Sequence, residues 1–222
     1  MIDLKIGYVE TIISFDDSES IKTLSISSLQ IYYQIYLLFK SGYEDSFYLT
    51  VNNSKKVFFK NVSIISDIFQ LTENDKNNLK LLYANVDKNL STKQSNLVSQ
   101  IDTLAGELMF DISFNSNKKM EYEVKTKASD ILSLYRFRFS EENNKSFFML
   151  FLNYLKCLKE IKNSILIITF DFLHYFDEYH INLLREELLL YDIKLLDIRF
   201  IDAKKTIENI DDIFVDNDLC EY

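Results

Sequence analysis

Along the first sixty residues apolar and polar positions alternate in short runs, the period expected of half-buried strands. Segments 2–9 (IDLKIGYV), 11–15 (TIISF) and 21–26 (IKTLSI) read as strands, with an acidic turn at Asp16-Asp17-Ser18. Ser27 or Ser28 then offers a hydroxyl oxygen as N-cap to a helix from Leu29 to Lys40, and Gly42 is placed to stop it. That helix carries Ile31, Ile35, Leu37, Leu38 and Phe39 and is apolar nearly all round, so it is expected inside a layered structure. Strands are expected at 46–51 (SFYLTV) and 56–59 (KVFF), then a short helical stretch at 62–70 (VSIISDIFQ).

From Thr72 the period lengthens. Leu79, Leu82, Tyr83, Val86 and Leu90 fall on one helical stripe, and Leu97, Ile101, Leu104, Ala105 and Leu108 on a second. Thr72 and Asp75 resemble a weak capping box, and the polar run 91–96 (STKQSN) reads as a bend between two helices. A polar, glycine-free stretch, 115–130, leads to a short helix near Ile131–Leu134 and an alternating Tyr135-Arg136-Phe137-Arg138-Phe139. Helical spacing returns at 143–160, with Phe147, Phe148, Phe151, Leu152, Leu155 and Leu158 on the face to be buried. The run 165–170 (ILIITF) has the continuous apolar character of a strand covered on both faces. A helix over 177–191 and a strand over 194–200 complete a βαβ unit, whose strands pair in parallel. The remaining 202–222 holds two lysines against seven acids and reads as surface or loop. The economical architecture is an α/β domain built from both chain ends, 1–70 plus 146–222, with a helical segment, 71–145, inserted between them.

Composition narrows the function classes. In 222 residues there are 18 Phe, 14 Tyr, three Gly and no Pro, which excludes disorder and leaves a sizeable core. Cys157 and Cys220, the two cysteines, do not make a disulfide scaffold and fit a reducing cytoplasm. No apolar run reaches a membrane span, and the opening MIDLKIGYVE lacks the apolar core of a signal peptide. The formal net charge of −9 argues, taken as a total, against nucleic acid.

Catalytic patterns are thin. A phosphate cradle needs glycines, so that backbone N–H groups can approach, and a lysine. The strand ending at Ile26 instead runs into Ser27-Ser28-Leu29-Gln30, and Gly7, Gly42 and Gly106 cannot supply the cradle elsewhere. Asp171 does stand where an acid follows an apolar strand and holds Mg²⁺ in nucleotide hydrolases; a solvated strand end or a helix-start residue is the plainer reading. His174 and His180 lack a partnered nucleophile or metal spacing to the cysteines. The acid pairs Asp16/Asp17, Glu186/Glu187 and Asp211/Asp212 are adjacent in sequence and diverge. Glu121 and Glu123 share a side if extended, and Asp130 could return toward them, an oxygen set suited to a hard cation such as Ca²⁺. Basic residues collect in the same region: Lys118, Lys119, Lys125, Lys127, Arg136 and Arg138 exceed the three acids by three charges over 115–140. Lys55, Lys56 and Lys60 form a smaller cluster. Phosphate binding needs local positive potential, whatever the total.

Asp67-Ile68-Phe69, followed by the helix Leu79-Lys80-Leu81-Leu82-Tyr83-Ala84-Asn85-Val86-Asp87-Lys88-Asn89-Leu90, resembles the start of the long helix in the type II-A CRISPR-associated spacer-acquisition accessory family. The resemblance continues through Glu121-Tyr122-Glu123, Asp130-Ile131-Leu132, the strand from Ile165 to Phe170, Leu183-Leu184-Arg185-Glu186-Glu187-Leu188, and the strand from Ile193 to Phe200. It implies an α/β, P-loop-ATPase-like head without a phosphate loop, carrying an α-helical leg. It further implies a calcium-stabilised homotetrameric ring that binds double-stranded DNA ends without sequence preference. Such a ring has no catalytic activity and works with the CRISPR integrase and the RNA-guided nuclease. Glu121, Glu123 and Asp130 correspond to the family's calcium-binding acids, although other acidic positions there are Lys119, Val124 and Lys125 in this chain. The DNA-binding residues expected are Lys118, Lys119, Lys125, Lys127, Arg136 and Arg138. A metal-dependent nuclease or nucleotidase using Asp171, Glu121 and Glu123, or a protein-assembly adaptor that never touches DNA, are the rival readings.

Overall fold

The computed structural model of the chain describes residues 1–68, 71–116, 120–123, 125–140, 146–201 and 212–215. The chain divides into two compact units, one of Met1–Thr72 with Asn143–Tyr222 and one of Glu73–Glu142.

The first unit is mixed α/β. Strands β1 (Ile2–Ile6), β2 (Ile13–Phe15), β4 (Phe47–Val51) and β5 (Ser54–Lys56) form an antiparallel sheet in the order β2-β1-β4-β5. Strands β3 (Ile21–Ile26), β6 (Val62–Ile65), β7 (Leu166–Phe170), β8 (Lys194–Phe200) and β9 (Asp212–Val215) form a parallel sheet in the order β6-β7-β8-β3-β9. Alternation explains how this sheet is covered on both faces. Leu166, Ile168 and Phe170 of β7, with Leu196 and Ile198 of β8, face a core shared with the antiparallel sheet and helix α1 (Leu29–Ser41). Ile167 and Leu195 face the other way, onto helices α6 (Phe147–Lys162) and α7 (Glu178–Leu190). All five residues of β7 are buried, as its unbroken apolar run requires. Each such side chain contributes about 1.5–3 kcal/mol by leaving water.

The caps follow the sequence chemistry. Ser28 accepts a hydrogen bond from the Ile31 amide, and Gly42 closes α1 at a φ of 70°, in the left-handed region that glycine enters without steric cost. Ser146 and Asp177 cap α6 and α7 in the same way.

Several expectations need correction. The stretch expected as a helix at 62–70 begins with β6: four residues are too few to distinguish the periods, and pairing of Val62–Ile65 with Leu166–Thr169 decides the matter. The strand expected at 56–59 ends at Lys56, and Phe58–Asn61 is a single helical turn, α2, that buries Phe58. Helix α1 buries only Ile35 and Phe39, leaving Leu29, Tyr33 and Leu37 exposed, so it lies on the surface of its layer. Phe147 stands at the exposed margin of α6. The tail expected as loop supplies β9, which pairs in parallel with β3 and so extends the sheet at that edge.

The second unit is helical: α3 (Lys76–Lys88), α4 (Thr92–Phe114) and α5 (Ala128–Leu134). Asp75 caps α3 through the amides of Asn77 and Asn78, where Thr72 was the expected start. The bend expected over 91–96 is shorter, because Ser91 and Gln94 form a full capping box and α4 begins at Thr92. Residues 135–139 form no strand, and Arg136 has a φ of 50°. No helix among the described residues is long and apolar enough to cross a membrane.

Candidate nucleic-acid interface

The basic residues of 125–138 lie in the second unit, and hydrogen bonds from three of its segments hold them in place. On one side, the Thr126 amide donates to Asp102 Oδ1 of α4 at 2.6 Å, fixing the backbone between Lys125 and Lys127. The Ser129 amide donates to Asp87 Oδ1 of α3 at 2.9 Å, and the Lys127 amide to Asp130 Oδ2 at 2.9 Å. Farther along, Tyr83 of α3 donates its hydroxyl to the Phe137 carbonyl at 2.6 Å. Asn74 brackets Phe139, accepting from its amide at 2.9 Å and donating to its carbonyl at 3.1 Å. Both basic pairs are thus hung on α3, α4 and the segment before α3 by bonds to backbone groups. Lys125, Lys127, Arg136 and Arg138 are all exposed. Lys125, Lys127 and Arg136 form no ion pair with a described residue.

The acids of the region have another task. At Asp87 partial burial works to raise the carboxyl pKa, but hydrogen bonds from Ser129 and the nearby Lys127 charge outweigh it and hold the group below its usual range. The same hydrogen bonds anchor the start of α5 to Asp87. The anchors Asn74, Tyr83, Asp87 and Asp102 were not singled out as functional from sequence. The one available signal was a hydroxyl, Tyr83, on an otherwise apolar stripe. Charge also divides unevenly between the units. Residues 73–142 hold ten Lys and Arg against eleven Asp and Glu, one net negative charge, whereas the remainder holds fifteen against twenty-three, eight net negative.

Of the expected sites, Lys118 and Lys119 lie outside the described residues. Glu121, Glu123 and Asp130 are exposed, and Asp130 is committed to the Lys127 amide. Among the described residues no group of three or more His, Cys, Asp or Glu side chains converges as a cation site requires. As placed, these three carboxylates do not converge on a common point and do not fit calcium.

At the carboxyl edge of the parallel sheet, where α/β proteins usually bind ligands, the acid at the end of β7 is engaged by protein donors. Asp171 follows β7 with a φ of 58°. Its Oδ2 accepts from the Tyr32 hydroxyl at 2.5 Å and its Oδ1 from the Phe200 amide at 3.1 Å, so both oxygens have protein donors. The Tyr32 ring packs near Phe170 and Phe200, each 6.1 Å between centroids. Asp171 is therefore neither a simple solvated strand end nor a helix start; it is a latch between β7, β8 and α1. The junction from β3 to α1 holds only Ser27 and Ser28, and Ser28 is spent on the cap. His180 Nδ1 lies 2.6 Å from Asp177 Oδ1 within one helical turn, His174 is exposed beside Tyr175, and Cys157 is buried in α6. Cys220 lies outside the described residues.

Burial, reinforced by the bond to Asp171, raises the Tyr32 phenol far above its ordinary value. Raising the folded pKa means that the latch contributes fully while tyrosine is protonated, and that folding loses this contribution as pH climbs past about 10, where the unfolded phenol ionises. Tyr32→Phe is expected to show a smaller drop in melting temperature than the wild type between about pH 9 and pH 11. Equal drops in thermal melts of the two proteins would rule the latch out.

Against the known protein families the chain matches none, and the comparison with curated proteins found no match.

Proposed function

We propose that this protein is a non-catalytic, sequence-independent binder of double-stranded DNA ends, acting in the cytoplasm as a homotetrameric ring in CRISPR spacer acquisition, beside the integrase and the RNA-guided nuclease. The observation that carries the reading is the exposed cationic set Lys125, Lys127, Arg136 and Arg138 on backbone pinned at both ends. Cations presented this way contact phosphates and carry no base information, which is what indifference to sequence requires. On this reading the first unit is a P-loop-ATPase-like head without its phosphate loop, and the second is its helical leg. The parallel sheet, the short Ser27-Ser28 junction and the doubly bonded Asp171 support a binding protein over a nucleotide hydrolase.

Self-association has support of its own. Helix α4, 23 residues or about 34 Å long, buries none of its side chains. Leu97, Ile101, Leu104 and Leu108 repeat along it at spacings of four, three and four residues, the period of a helix–helix seam, and Leu104 and Leu108 are 64% and 57% exposed. Leu104→Glu combined with Leu108→Glu is expected to reduce the mass measured by light scattering from several copies to that of one 26.3 kDa chain. An unchanged mass would exclude α4 from the contact.

The reading as a whole is tested by native gel shifts on linear duplex and on closed circular duplex of equal length. Parallel samples contain Ca²⁺, EDTA, Mg²⁺ or Mn²⁺. Linear DNA is expected to shift, circular DNA much less, and no sample to shorten. Absence of binding overturns the proposal in favour of an adaptor; equal retention of circles removes the ring; shortening with Mg²⁺ or Mn²⁺ makes the protein a nuclease.

A further inference from the structure

The outer face of the antiparallel sheet carries a second basic surface, separate from the 125–138 segment and in the other unit. Along β4, Phe47 and Leu49 point into the core, so Tyr48 and Thr50 point away from it. Register then fixes the neighbours. Lys5 of β1 stands opposite Tyr48, and Lys55 of β5 stands opposite Thr50, on that same outer face; Asp3 of β1 shares it and accepts from the Thr50 hydroxyl at 3.1 Å, while Lys56, opposite Leu49, belongs to the other face. The Lys55 ammonium reaches diagonally over the Tyr48 ring, 5.6 Å from its centroid. Tyr48 nevertheless remains 49% exposed. Lys5, Tyr48, Lys55 and Lys56 line one cleft of about 640 Å³, within the size range of small-ligand sites.

Two carboxylates border the same cleft. Glu44 Oε1 accepts a hydrogen bond from the Phe58 amide, which holds the corner after β5 and fixes this negative charge at that side of the cleft. Asp45 remains at the rim and repels a phosphate from its own side, leaving the phosphate end of a ligand to the lysines. A half-exposed aromatic ring flanked by ammonium groups suits a planar π-system joined to an anion. Stacking supplies one part of the binding energy and charge the other.

The geometry points to a nucleotide-binding site here, with a base stacked on Tyr48 and its phosphate held by Lys5 and Lys55. The same chemistry is offered by a free nucleotide and by a nucleotide within a single strand. This site does not depend on the duplex-binding reading above, and the test keeps the two apart.

The full-length chain bearing Lys125→Gln, Lys127→Gln, Arg136→Gln and Arg138→Gln is titrated into a short fluorescein-labelled oligothymidylate and followed by anisotropy. The labelled strand is expected to bind despite those four changes. Adding Tyr48→Ala is expected to weaken it by roughly five- to a hundredfold, the effect of losing one base–aromatic stack, while Tyr48→Phe retains affinity. Adding Lys5→Gln with Lys55→Gln is expected to weaken binding and lower the salt slope by about 1.4. Displacement by ATP assigns free nucleotide as a ligand, and displacement only by unlabelled strand assigns the single strand. Tyr48 and the lysines are exposed, and matching thermal melts of the variants will verify their folding. The proposal is overturned if the strand fails to bind, if Tyr48→Ala binds as well as the parent, or if inorganic tripolyphosphate displaces the strand and does so as readily as ATP.

Discussion

Replacing Lys125, Lys127, Arg136 and Arg138 together by Gln is expected to abolish most duplex binding. Each cation that neutralises a phosphate adds about 0.9 to the slope of log affinity against log salt, so four lost contacts per chain flatten that slope by about 3.6. Near 0.1 M salt the same four contacts correspond to an affinity loss on the order of a thousandfold. The fold should not notice, because the four side chains are exposed and the segment is held by Asn74, Tyr83, Asp87 and Asp102. Filter binding at several salt concentrations, with circular dichroism as the folding control, measures both effects. If the slope of the quadruple variant matches that of the wild type, the phosphates are bound elsewhere on the chain.

The largest stability effect is expected at Asp197. This fully buried carboxylate accepts from the Thr169 hydroxyl, the Phe172 and Leu173 amides and the Arg199 guanidinium, at 2.6, 3.0, 3.0 and 3.1 Å. It thereby ties β8 to the end of β7 and to the turn that follows. Asp197→Ala leaves two amides, a hydroxyl and a guanidinium without their acceptor. Removing one partner from such a buried arrangement costs about 3–5 kcal/mol, a large share of the total stability of a typical protein, about 5–15 kcal/mol. A urea midpoint lowered accordingly is the expected result, and a change below about 1 kcal/mol would show that water takes over the carboxylate's role. Adding Arg199→Ala to Asp197→Ala should cost less than the two single losses combined, since the guanidinium is already stranded.

Legibility in the sequence tracked how local each determinant is. Strand β7 could be read because both faces of that sheet are covered, which leaves a run interrupted only by Thr169, and β8 followed as the second strand of a βαβ unit. The Ser28 cap and the Gly42 stop could be read because the interacting groups sit within one turn of each other. β6 and β9 could not, since four residues carry little period and their partners lie far along the chain. The basic residues of 125–138 were visible as a composition. Their anchors were not, because Asp102 to Thr126 and Asp87 to Ser129 are side-chain-to-backbone bonds that no spacing rule announces. Asp197 went unremarked for the same reason: within β8 it reads as one polar interruption of an apolar strand.

The strand order of the parallel sheet has a consequence for biosynthesis. β3 leaves the ribosome early, yet its neighbours are β8 and β9, with Ile21 opposite Leu195 and Thr23 opposite Asp212. β3 must therefore wait, unpaired on both sides, until nearly the whole chain has been translated, whereas β1, β2, β4 and β5 find their partners among themselves. The intervening helices need no such wait, since α3, α4 and α5 are bonded among themselves. Nascent-chain folding is thus expected to complete the antiparallel sheet and the helical unit before the parallel sheet, with β3 exposed longest and most in need of chaperone protection.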